Sequence, residues 1–107
     1  MIGKTVTVTI DRPLGSSHPR FPNLIYPINY GFVEGIIAPD GEYQDAYVLG
    51  IESPIESFAG VIIAIVNRLN DVEDKWVVAP KNVAFTKDEI EKAIRFQEKY
   101  FEYEIVM

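Results

Sequence analysis

The stretch Tyr26–Ile51, YPINYGFVEGIIAPDGEYQDAYVLGI, decides the fold and carries most of the residues that suit chemistry. It opens on the turn Tyr26–Gly31, in which proline fixes one backbone angle and glycine frees another. A strand-like run, Phe32–Ile37, follows the turn, and Ala46–Leu49 is predicted to form the next strand. The acid-rich bend between these strands is the first candidate for a functional site.

That bend holds three carboxylates, Asp40, Glu42 and Asp45, at positions i, i+2 and i+5. Acids this close repel one another and gain nothing by being buried together, so either each points into water or a cation holds them. Hard oxygen ligands suit magnesium, manganese or calcium better than zinc. In an extended segment the side chains of Asp40 and Glu42 would point to one face and that of Asp45 to the other. The three carboxylates can therefore converge on one ion only if the chain bends at Gly41.

Three further segments complete a sheet with the two strands of the central stretch. Thr5–Ile10 alternates threonine with apolar residues, which predicts a half-buried strand. Gly60–Val66 is a continuous apolar run and predicts a strand buried on both faces. Lys75–Ala79 is predicted to pair with it as a hairpin across the polar loop Arg68–Asp74.

The C-terminal part of the chain predicts a single helix. Thr86 and Glu89 form a capping box, and apolar residues then recur at helical spacing, which predicts a helix over about 87–103. Glu98 falls largely outside the apolar stripe. The absence of strand–helix alternation predicts one domain over 1–107, mainly β with a C-terminal helix, built as an antiparallel sheet or a small closed barrel of about five strands.

Composition excludes several classes of function. The chain has 10 basic and 16 acidic residues, a net charge of −6, which argues against nucleic-acid binding. No apolar run reaches the roughly 18 residues that a membrane crossing needs. The sequence has no cysteine and no signal pattern at Met1, so we expect a cytoplasmic protein without a membrane partner. An acidic protein would need bound cations to hold a phosphate ligand well.

The pattern YPxNYGF, followed after a short strand by D-G-x-x-x-D and another strand, resembles the soluble magnesium-dependent inorganic pyrophosphatases. In that family the loop runs roughly D-G-D-P-x-D-V-L-V. The resemblance covers Tyr26–Leu49 and, more loosely, Asp71–Pro80. It implies a small five-stranded OB-like barrel and hydrolysis of pyrophosphate to two phosphates by metal-activated water. The implied cofactor is Mg²⁺, with Mn²⁺ as a possible substitute.

The resemblance also implies roles for the acids. Asp40 and Asp45 would be metal ligands, Asp45 would bridge the ions, and Glu42 would take the proton of the attacking water. The loop of this chain departs from the family pattern, because Glu42 replaces an aspartate and Tyr43 a proline. Further ligands are expected in the second acid group, where the choice stays open among Asp71, Glu73 and Asp74.

Contacts to the phosphates are implied for Arg12, Tyr30, Lys75 and Tyr100. Two cationic contacts of the family are missing, since Phe101 stands where a lysine normally follows the helix tyrosine, and a segment that bears another lysine is absent. These losses favour an alternative to pyrophosphate hydrolysis, a barrel that kept the fold, lost or changed the reaction, and binds a phosphorylated ligand or a protein partner. The retained carboxylate loop favours hydrolysis, which is the preferred interpretation.

Two features stay open on sequence alone. His18 either contacts phosphate or a metal, or belongs to a solvated loop, and the second interpretation is preferred because a lone histidine has no ligand partner nearby. The apolar tail with Phe101, Tyr103 and Ile105 predicts self-association into a homo-oligomer.

Overall fold

The structure, a computed structural model, describes residues 1–107. Its elements follow in the order β1 (Thr5–Arg12), β2 (Asn29–Ile37), β3 (Tyr43–Val48), β4 (Ser57–Arg68), β5 (Asp74–Ala79), α1 (Lys87–Glu98) and β6 (Tyr103–Val106). No helix is long and apolar enough to cross a membrane.

The first five strands close into a barrel. Neighbouring strands pair in the order β1-β2-β3-β5-β4, and β4 also pairs with β1, which completes the ring. The predicted five-stranded OB-like barrel is therefore confirmed, but it is not antiparallel throughout, because β3 and β5 run parallel. The reason is geometric: strand direction cannot alternate around a ring with an odd number of members, so one pair of neighbours must be parallel.

The helix begins where the sequence predicts and ends earlier. Thr86 Oγ1 accepts from the Glu89 amide (3.1 Å), and the Glu89 carboxylate accepts from the Thr86 amide (2.8 Å), so the capping box is formed. The helix stops at Glu98, short of the predicted end near 103, and the residues that follow turn into β6. Tyr103–Val106 pairs antiparallel with the end of β4, which satisfies backbone groups that the edge of β4 would otherwise expose.

Two apolar clusters fill the molecule. One draws side chains from all five barrel strands and occupies the barrel interior, with Val8, Val33, Val48, Ile62 and Val78 among its members. The other lies between the barrel and α1, where Ile90 and Ile94 pack against the barrel. Because neighbouring residues of a strand point to opposite faces, β3 and β5 contribute to both clusters.

The YPxNYG turn leads into β2, and the backbones of β2 and β1 approach each other very closely at its last residue. Gly31 pairs with Ile10, and a β-carbon at position 31 would overlap the carbonyl oxygen of Thr9. The backbones can therefore meet only if residue 31 has no side chain. The turn carries Tyr26 and Tyr30, which are buried in the cluster between the barrel and α1, and Tyr30 also lines the site described below.

The variant Gly31→Ala tests this packing. We expect it to lower the free energy of unfolding by about 3 kcal/mol, because the backbone of β1 would have to move. Urea denaturation of Gly31→Ala and of Glu34→Ala, an exposed position on the same strand, provides the comparison. Equal stability of the two variants would contradict the close approach.

Candidate functional site

A cavity of about 830 Å³ opens where the barrel meets the end of α1. Four cationic side chains from different parts of the chain line it: Arg12, Arg68, Lys75 and Lys99. The cavity wall includes six of the residues singled out in the sequence as site residues, namely Arg12, Tyr30, Asp45, Glu73, Lys75 and Tyr100. Residues from distant segments of the chain therefore line one cavity.

Lys75 joins the two acidic bends. Its Nζ lies 2.7 Å from Oδ2 of Asp45 and 3.6 Å from Oε1 of Glu73, and only 4% of its side chain is exposed. The ring of Tyr30 lies beside the ammonium, 5.7 Å from Nζ. Burial and the Asp45 carboxylate raise the pKa of Tyr30 well above its ordinary value, so this hydroxyl keeps its proton. The ammonium therefore supplies the positive charge that brings Asp45 and Glu73 together.

The Asp40 carboxyl belongs to the first bend and caps its turn. The backbone amide of Glu42 donates to Asp40 Oδ1 (3.0 Å) and lowers the pKa of that carboxyl. In the second bend, burial raises the pKa of Glu73 against the opposing effect of Lys75. Gly41, with a φ of 86°, supplies the bend that the sequence predicted after Asp40.

Arg68 is the cation that sequence reasoning missed. Its side chain is 4% exposed, donates from Nε (2.9 Å) and Nη2 (3.0 Å) to the two carboxylate oxygens of Glu98, and donates from Nη1 to Glu73 (2.6 Å). The centre of the Phe101 ring lies 3.6 Å from its guanidinium carbon. A signal existed in the sequence, since Arg68 continues the alternation that buries Ala64 and Val66 on the α1 side of β4.

The expectation that Glu98 lies outside the buried stripe of α1 is wrong. The residue is fully buried, because its carboxylate accepts from Arg68 and also from the Tyr47 hydroxyl at 2.6 Å. Burial, followed by the Glu98 charge, raises the pKa of Tyr47 well above its ordinary value, so the hydroxyl stays a donor. The sequence predicted that the Glu98 carboxylate faces water, but its ion pair with Arg68 of β4 allows it to lie in the core.

An unbroken series of hydrogen bonds links the two guanidinium groups of the cavity. Arg12 Nη1 donates to the Tyr26 hydroxyl (2.7 Å), which donates to Gln97 Oε1 (2.9 Å). Gln97 Nε2 donates to the Tyr47 hydroxyl (2.8 Å), which leads to Glu98 and Arg68. Each side chain of this relay has a hydrogen-bond partner, and the relay therefore fixes the positions of both guanidinium groups. Its members are Arg12, Tyr26, Gln97, Tyr47, Glu98 and Arg68.

The other predicted acids lie away from the cavity wall. Asp40 and Glu42 are exposed, and Asp71 is exposed with an oxygen 3.8 Å from Arg68 Nη1. Asp74 Oδ1 is buried without a hydrogen-bond partner. No group of three acid or histidine side chains is arranged to hold a metal ion, and Asp45 and Glu73 are engaged with Lys75 and Arg68. As placed, the carboxylates do not fit a magnesium centre.

The cavity wall also contains aromatic side chains. His18 and Phe21 belong to the loop between β1 and β2, with ring centroids 5.1 Å apart, and Tyr100 and Phe101 follow α1. His18 Nδ1 accepts from the Arg20 amide at 3.0 Å. The structure thus places His18 in the cavity wall, where the sequence preferred a solvated loop.

No protein-family model and no curated protein matches this sequence. Solved structures do match its fold. The inorganic pyrophosphatase from Neisseria gonorrhoeae superposes with a TM-score of 0.70 at 19% identity, over 92% of this chain and 74% of that protein. The inorganic pyrophosphatase from Coxiella burnetii gives 0.70 at 17% identity, over 98% and 85%. The one from Ehrlichia chaffeensis gives 0.71 at 17%, over 97% and 85%. At these identities the likeness shows a shared fold.

Glu98→Gln tests the buried ion pair. Removing the charge leaves the Arg68 guanidinium buried beside a neutral amide, so we expect a loss of about 3 kcal/mol in the free energy of unfolding. Urea denaturation is the measurement, with Glu91→Gln on the outer face of α1 as the control. Replacing both partners, Arg68→Met with Glu98→Leu, should recover most of the loss, and a double variant less stable than Glu98→Gln would contradict this interpretation.

Proposed function

We propose that this protein binds a small phosphoanhydride in the cavity at the end of α1, with pyrophosphate as the first candidate. The observation that carries the proposal is the gathering of four cations on one cavity, in a chain whose net charge is −6. Two carboxylates, Asp45 and Glu73, share the wall, and Glu98 behind it is paired with Arg68, so four cations face three acids. The site therefore keeps an excess of positive charge on an acidic protein.

The placement of the cations suits a multiply charged anion. The side chains of Arg68 and Lys75 are each 4% exposed, so they act in a medium where charge is screened less than in bulk water. Arg12 gives one of its donors to Tyr26, and the rings of Tyr26 and Tyr30 lie 5.7 and 5.6 Å from its guanidinium carbon. A guanidinium held in this way can offer its remaining donors to two phosphate oxygens.

Hydrolysis of the bound phosphoanhydride is the second candidate function. It is favoured by the position of Asp45 on the cavity wall beside Lys75 and Tyr30, and by the likeness to inorganic pyrophosphatases. Water would add to one phosphorus while the bridging P–O bond breaks. Asp45 would accept the proton of that water and return it to the departing phosphate, whose charge Arg12 and Lys75 would offset.

Magnesium remains a prediction within this second candidate. Asp45 and Glu73 would have to release Lys75 and Arg68 before they could serve as ligands, and the same holds for Asp71 toward Arg68. Glu42 is exposed and does not line the cavity, so the role of base passes here from Glu42 to Asp45.

Self-association and a cytoplasmic location also remain predictions. The tail side chains that suggested an oligomer are partly used within the chain, because Ile105 is buried against α1 and Phe101 lies under Arg68. A second copy could instead contact the unpaired outer edge of β6 and the exposed side chains of Val106 and Met107.

Arg12→Gln tests the binding proposal. Loss of the guanidinium removes charge-assisted hydrogen bonds, so we expect the affinity for pyrophosphate to fall by about ten- to a hundredfold in isothermal titration calorimetry. Arg20→Gln is the matched control, since Arg20 is exposed in the neighbouring loop and does not line the cavity. Equal losses in the two variants, or no pyrophosphate binding by the unaltered protein, would refute the proposal.

Phosphate release tests the hydrolysis candidate. Unaltered protein with pyrophosphate and magnesium should release phosphate, and Asp45→Asn should lower the rate by about a hundredfold or more because the proton acceptor is gone. Asp88→Asn, on the exposed face of α1, should retain the full rate. If binding is measured and no phosphate is released, hydrolysis is excluded and the binding function stands.

A further inference from the structure

We infer that the natural ligand is a nucleoside diphosphate, a phosphoanhydride that carries a planar base, rather than bare pyrophosphate. The inference rests on the proposed binding of a phosphoanhydride in the same cavity. The nucleoside would contact the aromatic residues of the wall, which make no favourable contact with phosphate.

The cavity wall combines two kinds of side chain. Arg12, Arg68 and Lys75 are cationic, and His18, Phe21 and Tyr100 are aromatic. Pyrophosphate is charged over its whole surface and gains nothing from aromatic rings. A volume of about 830 Å³ lies toward the upper end of the range that holds drug-sized ligands, whereas the cations alone would serve the phosphates.

The aromatic side chains of the wall are exposed, and backbone hydrogen bonds hold the loop that carries one of them. Phe21 is 62% exposed and Tyr100 is 66% exposed, although both line the cavity. The loop that carries Phe21 is fixed by backbone hydrogen bonds from His18 N to Leu24 O (2.9 Å) and from Leu24 N to Phe21 O (2.8 Å). The ring of His18 packs against Phe21 and is stacked with Tyr26. A rigid loop that exposes an aromatic ring beside cations is suited to stacking a base.

Polar groups near the aromatic residues can form hydrogen bonds with the edge of a base. The Asn23 side chain lines the cavity and offers both a donor and an acceptor. His18 Nδ1 accepts from the Arg20 amide, so the proton of the neutral ring lies on Nε2, which can donate. Lys99 lies beside the ring of Tyr100, 5.3 Å from its centroid, so a cation and an aromatic surface are adjacent in the wall.

Calorimetric titration with ADP and with methyl diphosphate tests the inference, because the two probes share the diphosphate and differ in the nucleoside. We expect ADP to bind about tenfold tighter or more, as the stacking of one base provides. Phe21→Ala should remove most of that difference and leave methyl diphosphate binding unchanged. Ile25→Ala is the matched control, an exposed apolar residue of the same loop that does not line the cavity.

The outcomes separate this inference from the proposed function. If methyl diphosphate and pyrophosphate bind and ADP binds no tighter, the nucleoside diphosphate is refuted and phosphoanhydride binding stands. The nucleoside diphosphate is likewise refuted if Phe21→Ala weakens both probes equally. If none of the three ligands binds, both proposals fail.

Discussion

The buried ion pair between Arg68 and Glu98 is the interaction on which the rest of the structure depends. It ties the end of β4 to the last turn of α1, two elements far apart in the chain. Charges taken out of water cost several kcal/mol each, so such a pair persists only when every donor and acceptor has a partner. Here Tyr47 and Glu73 supply the remaining partners.

The pair also determines how the site is built. Because Gln97 precedes Glu98 on the same turn of α1, the geometry that buries Glu98 also places Gln97 between Tyr26 and Tyr47. The guanidinium of Arg12 is oriented through this link, although Arg12 ends β1 and lies far from α1 in the chain. A contact made for packing thus positions two cations of a binding site, and the helix end becomes part of that site through Lys99 and Tyr100.

One acid from each bend, Asp45 and Glu73, approaches the same ammonium group, that of Lys75, whereas the sequence predicted that the acids converge on divalent ions. Lys75 and Arg68 take the positions at which divalent ions were expected to neutralise Asp45 and Glu73. This difference matters for function, because a protein that neutralises its own acids can present a basic cavity to an anion without an added cation. Binding and hydrolysis therefore become separable questions.

The sequence was informative wherever local pattern and fold agree. Strand periodicity, the capping box at Thr86 and the turn before Gly31 predicted the barrel and its single helix. Six of the residues that the family resemblance singled out lie together in the cavity wall, while the roles implied for them stay predictions. The sequence failed where a residue's state depends on a distant partner. Glu98 looks like a solvent-facing helix residue until Arg68 is known to reach it, and Tyr103–Val106 becomes a strand because the edge of β4 is free. The parallel pair of β3 and β5 is a property of the closed ring, which no local pattern encodes.

If the chain's own cations, rather than divalent ions, make the cavity a site for phosphoanhydrides, the protein should bind them without metal. Calorimetric titration of pyrophosphate into the unaltered protein in excess EDTA measures this most directly. We expect saturable binding of one pyrophosphate per chain, which weakens as sodium chloride is raised because salt screens the charges. Binding that is absent in EDTA and appears only when magnesium is restored would contradict a site made by the chain's own cations.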